Sequence, residues 1–106
     1  MYALGRLEEA LVCYDRALAL NPRLEQAWVN KGAALGELGQ MEESIDCCDY
    51  ALALNPRLPE AWINKGAVLG RLGQFRKALL CFEEAQRLGA PQAAQMIALC
   101  QQRLDR

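Results

Sequence analysis

The sequence predicts an all-α fold built from antiparallel helix hairpins that stack on one another. Three observations predict it: a repeat with a period of 34 residues, helical spacing of the apolar residues inside each repeat, and Gly or Pro where helical segments end. The repeat is clearest in AWVNKGAALGELGQ, residues 27 to 40, which returns as AWINKGAVLGRLGQ at residues 61 to 74. One hairpin cannot bury its apolar face alone, so we expect neighbouring hairpins to cover one another.

Composition places the 106-residue chain among ordinary soluble proteins of one domain. Hydrophobic residues make up 53% of it, yet no apolar run approaches the roughly 20 residues that a membrane-spanning helix needs. The formal net charge is -1, so neither nucleic acid nor a membrane surface is an expected partner. The first residues lack the pattern of a secretory signal, and we expect a cytoplasmic protein.

The first helical segment is the second half of an incomplete repeat. LGRLEEALVCYDRALALNPR, residues 4 to 23, matches residues 38 to 57, and residues 72 to 90 are a looser third copy. Almost nothing of the other half-repeat stands before residue 4. We therefore divide the single domain, residues 1–106, into a partial repeat 1–22, repeats 23–56 and 57–90, and a capping helix 91–106.

Each complete repeat contains two helices, which we call helix A and helix B. Helix A is expected at residues 27 to 38 and 61 to 72, and helix B follows a Leu-Gly-Gln or Leu-Gly-Arg segment. Gly5, Gly39 and Gly73 stand in these segments. A glycine in the left-handed conformation ends one helix and turns the chain into the next. The pattern therefore predicts helical hairpins.

Helix B ends at a proline and has one packing face. Asn-Pro pairs stand at residues 21–22 and 55–56, and proline disfavours a helical conformation in the residue before it. On the first helix B, Ala10, Tyr14 and Ala17 fall at i, i+4 and i+7. These side chains share one face of the helix, and that face must pack.

The last segment, PQAAQMIALCQQRLDR, is predicted to form a final helix. It begins with a proline that suits a first helical turn, and its apolar residues recur at helical spacing. Met96-x-x-Leu99-Cys100 has the phase of Trp-x-x-Lys-Gly, so we expect it to dock as a helix A does. The residues expected to face water are Gln95, Gln101, Gln102 and Arg103.

This pattern resembles the tetratricopeptide repeat family. The shared features are the period, a Trp followed by Gly four residues later, small and aromatic residues on helix B, and a closing Pro. The matching residues are Trp28, Gly32, Leu35, Ala51, Pro56, Trp62, Gly66, Leu69, Ala78, Phe82 and Ala85, with Ala10, Tyr14, Ala17 and Pro22 in the partial repeat. Departures from the pattern are Lys31, Lys65, Ser44, Cys48 and Ala90. The resemblance implies a right-handed α-solenoid whose helices A line a concave groove for segments of partner proteins.

The side of helix A away from Trp28 is the predicted peptide groove. At 100° per residue, Gly32 and Leu35 lie within about 40° of Trp28, on the buried side. The resemblance implies that the groove is lined by Gln26, Val29, Asn30, Ala33, Gly36, Glu37, Glu60, Ile63, Asn64, Ala67, Gly70 and Arg71. Gly and Ala let a partner backbone approach, Val and Ile offer apolar contact, and Asn amides both donate and accept. The alternative is that the Val, Ile and small residues serve only packing between repeats.

One subfamily fits poorly. Chaperone adaptors of this family hold an acidic C-terminal peptide with Lys and Asn on a first helix A, Asn on a second, and Lys and Arg on a third. If helix A at 27 to 38 is the first, Val29 and Ala33 replace its Lys and Asn, and only Asn64 matches. We do not expect this chain to bind chaperone tails.

Nothing in the sequence predicts an enzyme, a cofactor or a metal site. It has no histidine and no phosphate-binding glycine motif. Cys13, Cys47 and Cys81 recur at the repeat period, and the adjacent Cys47 and Cys48 point about 100° apart on a helix, which suits no chelate. We therefore expect a protein-interaction scaffold whose partner is a protein or peptide.

Self-association is the alternative function. Because helix A of the first repeat is nearly missing, helix B from about residue 7 to 20 would expose an apolar face unless something covers it. The residues of that face are Leu7, Ala10, Leu11, Tyr14 and Ala17. Either the chain is a fragment of a longer array, or this face drives formation of a homodimer.

Overall fold

The computed structural model describes residues 4–105, with only the backbone of Leu4; residues 1–3 of the partial repeat and residue 106 of the capping segment lie outside them. The described residues form six α-helices and no strand, which confirms the predicted all-α fold. The helices are α1 (Leu4–Leu20), α2 (Glu25–Glu37), α3 (Met41–Leu54), α4 (Pro59–Arg71), α5 (Phe75–Arg87) and α6 (Ala93–Leu104). In this range no helix has the length and apolar character needed to cross a bilayer.

The helices form two compact units. Unit 1 is Met1–Pro56, with α1 to α3, and unit 2 is Arg57–Arg106, with α4 to α6. Within unit 1, α2 packs against both α1 and α3; within unit 2, α5 packs against both α4 and α6. In repeat terms α2 and α4 are helices A, whereas α1, α3 and α5 are helices B. The division of the chain into one domain with the stated repeat boundaries stays a prediction.

In unit 1, α2 and α3 approach closely at Gly32. A Cβ atom at Gly32 would lie 3.2 Å from the backbone oxygen of Ser44 and 3.3 Å from Sγ of Cys48. The fully buried Ser44 hydroxyl donates a hydrogen bond of 2.6 Å to the Gly32 carbonyl. Serine in place of the usual alanine therefore keeps the close contact and satisfies its own hydroxyl.

In unit 2, the same contact pairs Gly66 of α4 with Phe82 of α5. A Cβ atom at Gly66 would lie 2.8 Å from Cε1 of the Phe82 ring. Phe82 is 3% exposed, and Ala78 and Ala85 on the same helix are fully buried. Small residues on both helices thus leave room for one large ring between α4 and α5.

Glycine makes the turn from helix A to helix B at two of the three predicted positions. Gly39 and Gly73 have φ values of 83° and 79°. The N–H of the residue after each, Gln40 or Gln74, donates 2.9 Å back into the preceding helix. The prediction for Gly5 is wrong, because Gly5 lies in the first turn of α1 and ends no helix.

The predicted helix ends at the Asn-Pro pairs are confirmed, since α1 ends at Leu20 and α3 at Leu54. The loop after α1 is held against α2, because the Trp28 indole N–H donates 2.8 Å to the Pro22 carbonyl. At the end of α3, the Asn55 amide donates 3.1 Å to Oε1 of Glu25.

α6 begins at Ala93, 34 residues after the start of α4 at Pro59, yet its buried residues are shifted by two residues from the repeat period. At the start of α4 the N–H of Ala61 donates to the carbonyl of Leu58, and at the start of α6 the N–H of Ala93 donates to Ala90 in the same way. Ala61 and Ala93 are both fully buried. These two residues are 32 positions apart and not 34. The connection before α6 is shorter because the chain turns at Gly89, with φ of 98°, whereas an Asn-Pro segment precedes α4.

The shift corrects the predicted phase of α6. Cys100, which is 5% exposed, takes the place of Val68, which is also 5% exposed. Met96 therefore corresponds to Asn64 and not to a Trp, so the predicted match with Trp-x-x-Lys-Gly is wrong. The prediction of a polar outer side is confirmed, because the exposed residues include Gln95, Gln101, Gln102 and Arg103.

Candidate functional site

A cleft in each unit contains residues of the predicted groove. Cleft 1, in unit 1, lies between α1 and α2 and has a volume of about 210 Å³. Cleft 2, in unit 2, lies among α4, α5 and α6 and has a volume of about 330 Å³. Cleft 2 reaches the lower end of the roughly 300–1,000 Å³ range of ligand pockets, and cleft 1 is smaller.

Cleft 1 brings together residues of two separate predictions. Asn30, Ala33 and Glu37 come from the predicted groove. Leu7, Ala10 and Tyr14 come from the predicted self-association face. Arg6 and Ala34 complete the lining and were not predicted. The remaining residues of the self-association face, Leu11 and Ala17, are half-buried and do not line the cleft.

Asn30 is oriented by a neighbour on its own helix. The Gln26 amide donates 3.1 Å to Oδ1 of Asn30, one turn further along α2. Gln26 itself is exposed and lies outside cleft 1. The bond holds the Asn30 amide in one orientation at the wall of the cleft.

Two predicted groove residues of α2 are buried: Val29, at 2% exposure, and Gly36. At 100° per residue, the buried residues of α2 span about 220° of the helix. The sector is this wide because α2 packs against α1 on one side and α3 on the other. The expectation that Val29 and Gly36 are open to a ligand is therefore wrong.

Cleft 2 has an apolar floor and two arginines. From the predicted groove it contains Ala67, Gly70 and Arg71. The sequence did not predict the other lining residues, which are Gly66, Phe75, Phe82, Met96, Leu99, Cys100 and Arg103. Leu99 is 58% exposed, and the Arg103 guanidinium lies 5.6 Å from the centroid of the Phe75 ring. No acidic side chain is among the described residues that line cleft 2.

The other predicted groove residues of unit 2 lie outside cleft 2. Ile63 packs against the buried cluster of Ala85, Ala90 and Ala93. This contact favours the packing alternative for the Val29 and Ile63 position. Glu60 is exposed and Asn64 is half-buried.

Lys31, one of the departures from the family pattern, connects the two helices that form cleft 1. Its Nζ lies 2.7 Å from Oδ1 of Asp15 on α1 and 5.6 Å from the centroid of the Trp28 ring. The hydrogen bond with Asp15 raises the pKa of Lys31. The Trp28 ring in turn stacks on Tyr50, with centroids 4.6 Å apart. These contacts fix α2 between its two neighbours in unit 1.

The cysteines are thiols of two kinds: Cys13 is exposed, whereas Cys47, Cys48, Cys81 and Cys100 are buried. Burial raises the pKa of the Cys47 and Cys100 thiols. Within residues 4–105, no three or more side chains of the usual metal-binding types come together to hold an ion.

We expect one fast and four slow thiols when the folded protein reacts with an aromatic disulfide reagent at about pH 8. Cys13 should react first because it is exposed, and the buried thiols should react at least roughly tenfold more slowly, as the fold opens. Absorbance of the released thiolate measures both phases. Cys13→Ser should remove the fast phase and leave the slow one; a fast phase that survives this substitution contradicts the prediction.

Comparison with known proteins places the chain by its fold and its repeats. The solved structure described as "First TPR of Spaghetti (RPAP3) bound to HSP90 peptide SRMEEVD" is similar with a TM-score of 0.92 and 23% identity, over 96% of this chain and 82% of that chain. The Arabidopsis OM64 TPR domain is similar with a TM-score of 0.87 and 20% identity, over 92% of this chain and 83% of that chain. At these identities the likeness shows the fold alone.

A comparison with curated protein sequences gives no significant match. Family models do match. A TPR repeat model matches residues 1–39, and two tetratricopeptide repeat models match residues 25–58 and 59–89. With repeats matched from residue 1 to residue 89 and helix hairpins in both units, the chain belongs to the tetratricopeptide repeat family.

Proposed function

We propose that this chain is a protein-interaction module that binds a peptide or helical segment of a partner protein in the groove of its helices A, mainly at cleft 2. The observation that carries the proposal is the lining of cleft 2, where small residues form one wall and large apolar side chains form the floor. An apolar lining with a few polar groups at its edge is common to ligand pockets and to the cores of protein interfaces.

The small residues open the wall that α4 contributes. A Cβ atom built at Gly70 meets no atom within 4 Å, and Ala67 is exposed. A ligand backbone can therefore approach α4 closely at these two positions. The half-buried Phe75 and Met96 and the exposed Leu99 offer the apolar contact that holds a ligand side chain.

The Spaghetti domain supports peptide binding in general, because its structure contains the HSP90 peptide SRMEEVD. The residues of this chain do not support binding of the same acidic peptide. Val29 is buried, Ala33 has no polar group, and Arg103 is the only basic residue of α6. We propose an apolar or amphipathic partner segment, bound in the cytoplasm, where the thiols of the chain stay reduced.

The proposal is tested with a peptide selected on the wild-type protein from a random library. Ala67→Trp should raise the Kd of that peptide roughly tenfold or more, because the indole fills cleft 2. The melting temperature should stay unchanged, since Ala67 is exposed. Fluorescence anisotropy and thermal unfolding measure the two effects.

Ala19→Trp is the matched control, because Ala19 is an exposed helical alanine that lines neither cleft. It should leave the Kd unchanged. The Asn30, Asn64 double alanine variant should have a smaller effect than Ala67→Trp, since neither asparagine lines cleft 2. Equal loss of binding and of stability in Ala67→Trp would assign Ala67 to the core and remove the proposal.

A further inference from the structure

Clefts 1 and 2 occupy equivalent positions of the repeat. In cleft 2, α6 contributes Met96, Leu99, Cys100 and Arg103. In cleft 1, α2 contributes Asn30, Ala33, Ala34 and Glu37, which have the same spacing. The helices B agree as well, because Leu7 and Tyr14 of α1 stand two periods before Phe75 and Phe82 of α5. Each cleft is therefore bounded by a helix B and the helix that follows it.

Cleft 2 has a third wall that cleft 1 lacks. The third wall of cleft 2 is α4, which touches α5 where Gly66 meets the Phe82 ring. Cleft 1 is bounded by α1 and α2 alone among residues 4–105. By this equivalence, the open side of cleft 1, beside Tyr14, is a place for a helix A. That helix A would have a small residue where it contacts Tyr14.

Among the described helices, α6 is the one whose equivalent contact face is uncovered. The small residues Gly32 of α2 and Gly66 of α4 already meet α3 and α5. In α6 the corresponding residue is Ala98, and it is exposed. Ala94 and Gln101, which correspond to Trp62 and Leu69 on the same face of a helix A, are exposed too.

The charges of α6 complement those of cleft 1. In cleft 2, Arg71 of α4 lines the same cleft as Arg103, the last lining residue of α6. Docked as a helix A against cleft 1, α6 of a second copy would place its Arg103 at the position that Arg71 has in cleft 2. In cleft 1 the last lining residue of α2 is Glu37, so the two charges are opposite. Asp105 would stand where the chain has Gly73, next to the position of Arg6 in cleft 1. If α2 of a second copy docked against cleft 1 instead, its Glu37 would lie against Glu37 of the cleft, and the two like charges would repel each other.

We propose that cleft 1 binds α6 of a second copy of this chain, so that copies associate head to tail. The contact uses different surfaces on the two copies, cleft 1 on one and α6 on the other. Such a heterologous contact leaves one surface unused at each end and can add further copies. This association is separate from peptide binding at cleft 2. It also gives the self-association predicted from Leu7, Ala10 and Tyr14 its partner surface, which is α6.

Sedimentation equilibrium between about 1 μM and 1 mM should show concentration-dependent association of the wild type. Glu37→Arg should weaken association roughly tenfold or more, because it sets two cations against each other. Adding Arg103→Glu to the same chain should restore association. Glu9→Arg, the same change at an exposed residue of α1 outside cleft 1, should have no effect.

A mixing experiment identifies the two surfaces. Glu37→Arg damages cleft 1 and leaves α6 intact, whereas Ala98→Arg damages the contact face of α6 and leaves cleft 1 intact. Each variant alone should associate at least roughly tenfold more weakly than the wild type, and an equimolar mixture should form dimers and nothing larger. Both substituted side chains sit on exposed positions, so circular dichroism should show unchanged helix content.

A wild type that is monomeric at 1 mM overturns the proposal and leaves cleft 1 to a helix of another protein. A charge swap that does not restore association, or a mixture that stays monomeric, overturns it as well. The outcome is separable from the proposed function. Ala67→Trp should weaken peptide binding without changing association, and Ala98→Arg, which lies outside the lining of cleft 2, should weaken association without changing peptide binding.

Discussion

Phe82→Ala is expected to lower the free energy of unfolding by about 3–5 kcal/mol. The Phe82 ring is 3% exposed, and its neighbours on α5, Ala78 and Ala85, are fully buried and too small to refill the space. On α4 the ring faces Gly66, which has no side chain to move into the cavity. The loss therefore includes both the transfer free energy of the ring and the cost of a cavity that cannot collapse.

Denaturant unfolding followed by far-UV circular dichroism measures this loss. Leu80→Ala, on the same helix, is the control, because Leu80 is 67% exposed. Its effect should stay within about 0.5 kcal/mol. Similar losses for the two variants would mean that α5 does not pack through the Phe82 face, and the arrangement of unit 2 would be wrong.

The sequence predicted the helices well because their ends are local features. Glycine at 39 and 73 and the Asn-Pro pairs act on one or two residues of backbone, so each marks a helix end without knowledge of the fold. The register of α6 depends on the turn at Gly89 instead. The apolar stripe of Met96, Leu99 and Cys100 has helical spacing in either register, and the stripe alone could not reveal the shift.

The candidate site was less predictable, because a helical wheel describes one helix at a time and does not show which neighbouring helices cover it. Val29 looks open to solvent on the wheel of α2, yet α2 has neighbours on two sides and Val29 is buried. Phe75, Leu99 and Arg103 enter cleft 2 from helices other than a helix A of a complete repeat, so a groove defined by the helices A did not include them. Ala33 and Ala67 do line clefts, and their part in binding stays a prediction.

Gly66→Ala and Gly70→Ala, one turn apart on α4, are expected to change stability in opposite directions. Alanine is more favourable than glycine in a helix interior by about 1 kcal/mol. At Gly70 nothing lies within 4 Å of the added methyl group, so the variant should gain up to about that amount. At Gly66 the methyl group would lie 2.8 Å from Cε1 and 2.9 Å from Cζ of Phe82, and the overpacking cost of about 1–3 kcal/mol should exceed the gain.

The same denaturant measurement, repeated in a Phe82→Leu background, assigns the cause. Leucine lacks the ring atoms that the new methyl group would meet, so Gly66→Ala should cost less there than in the wild type. Gly70→Ala should give the same gain in both backgrounds, since Gly70 has no atom near its added methyl group. If Gly66→Ala instead stabilises the wild type as much as Gly70→Ala does, α4 and α5 do not approach closely at Gly66. The proposal that a helix with a small residue docks beside Tyr14 in cleft 1 would then lose its physical basis, because it rests on the fit of Gly66 against Phe82.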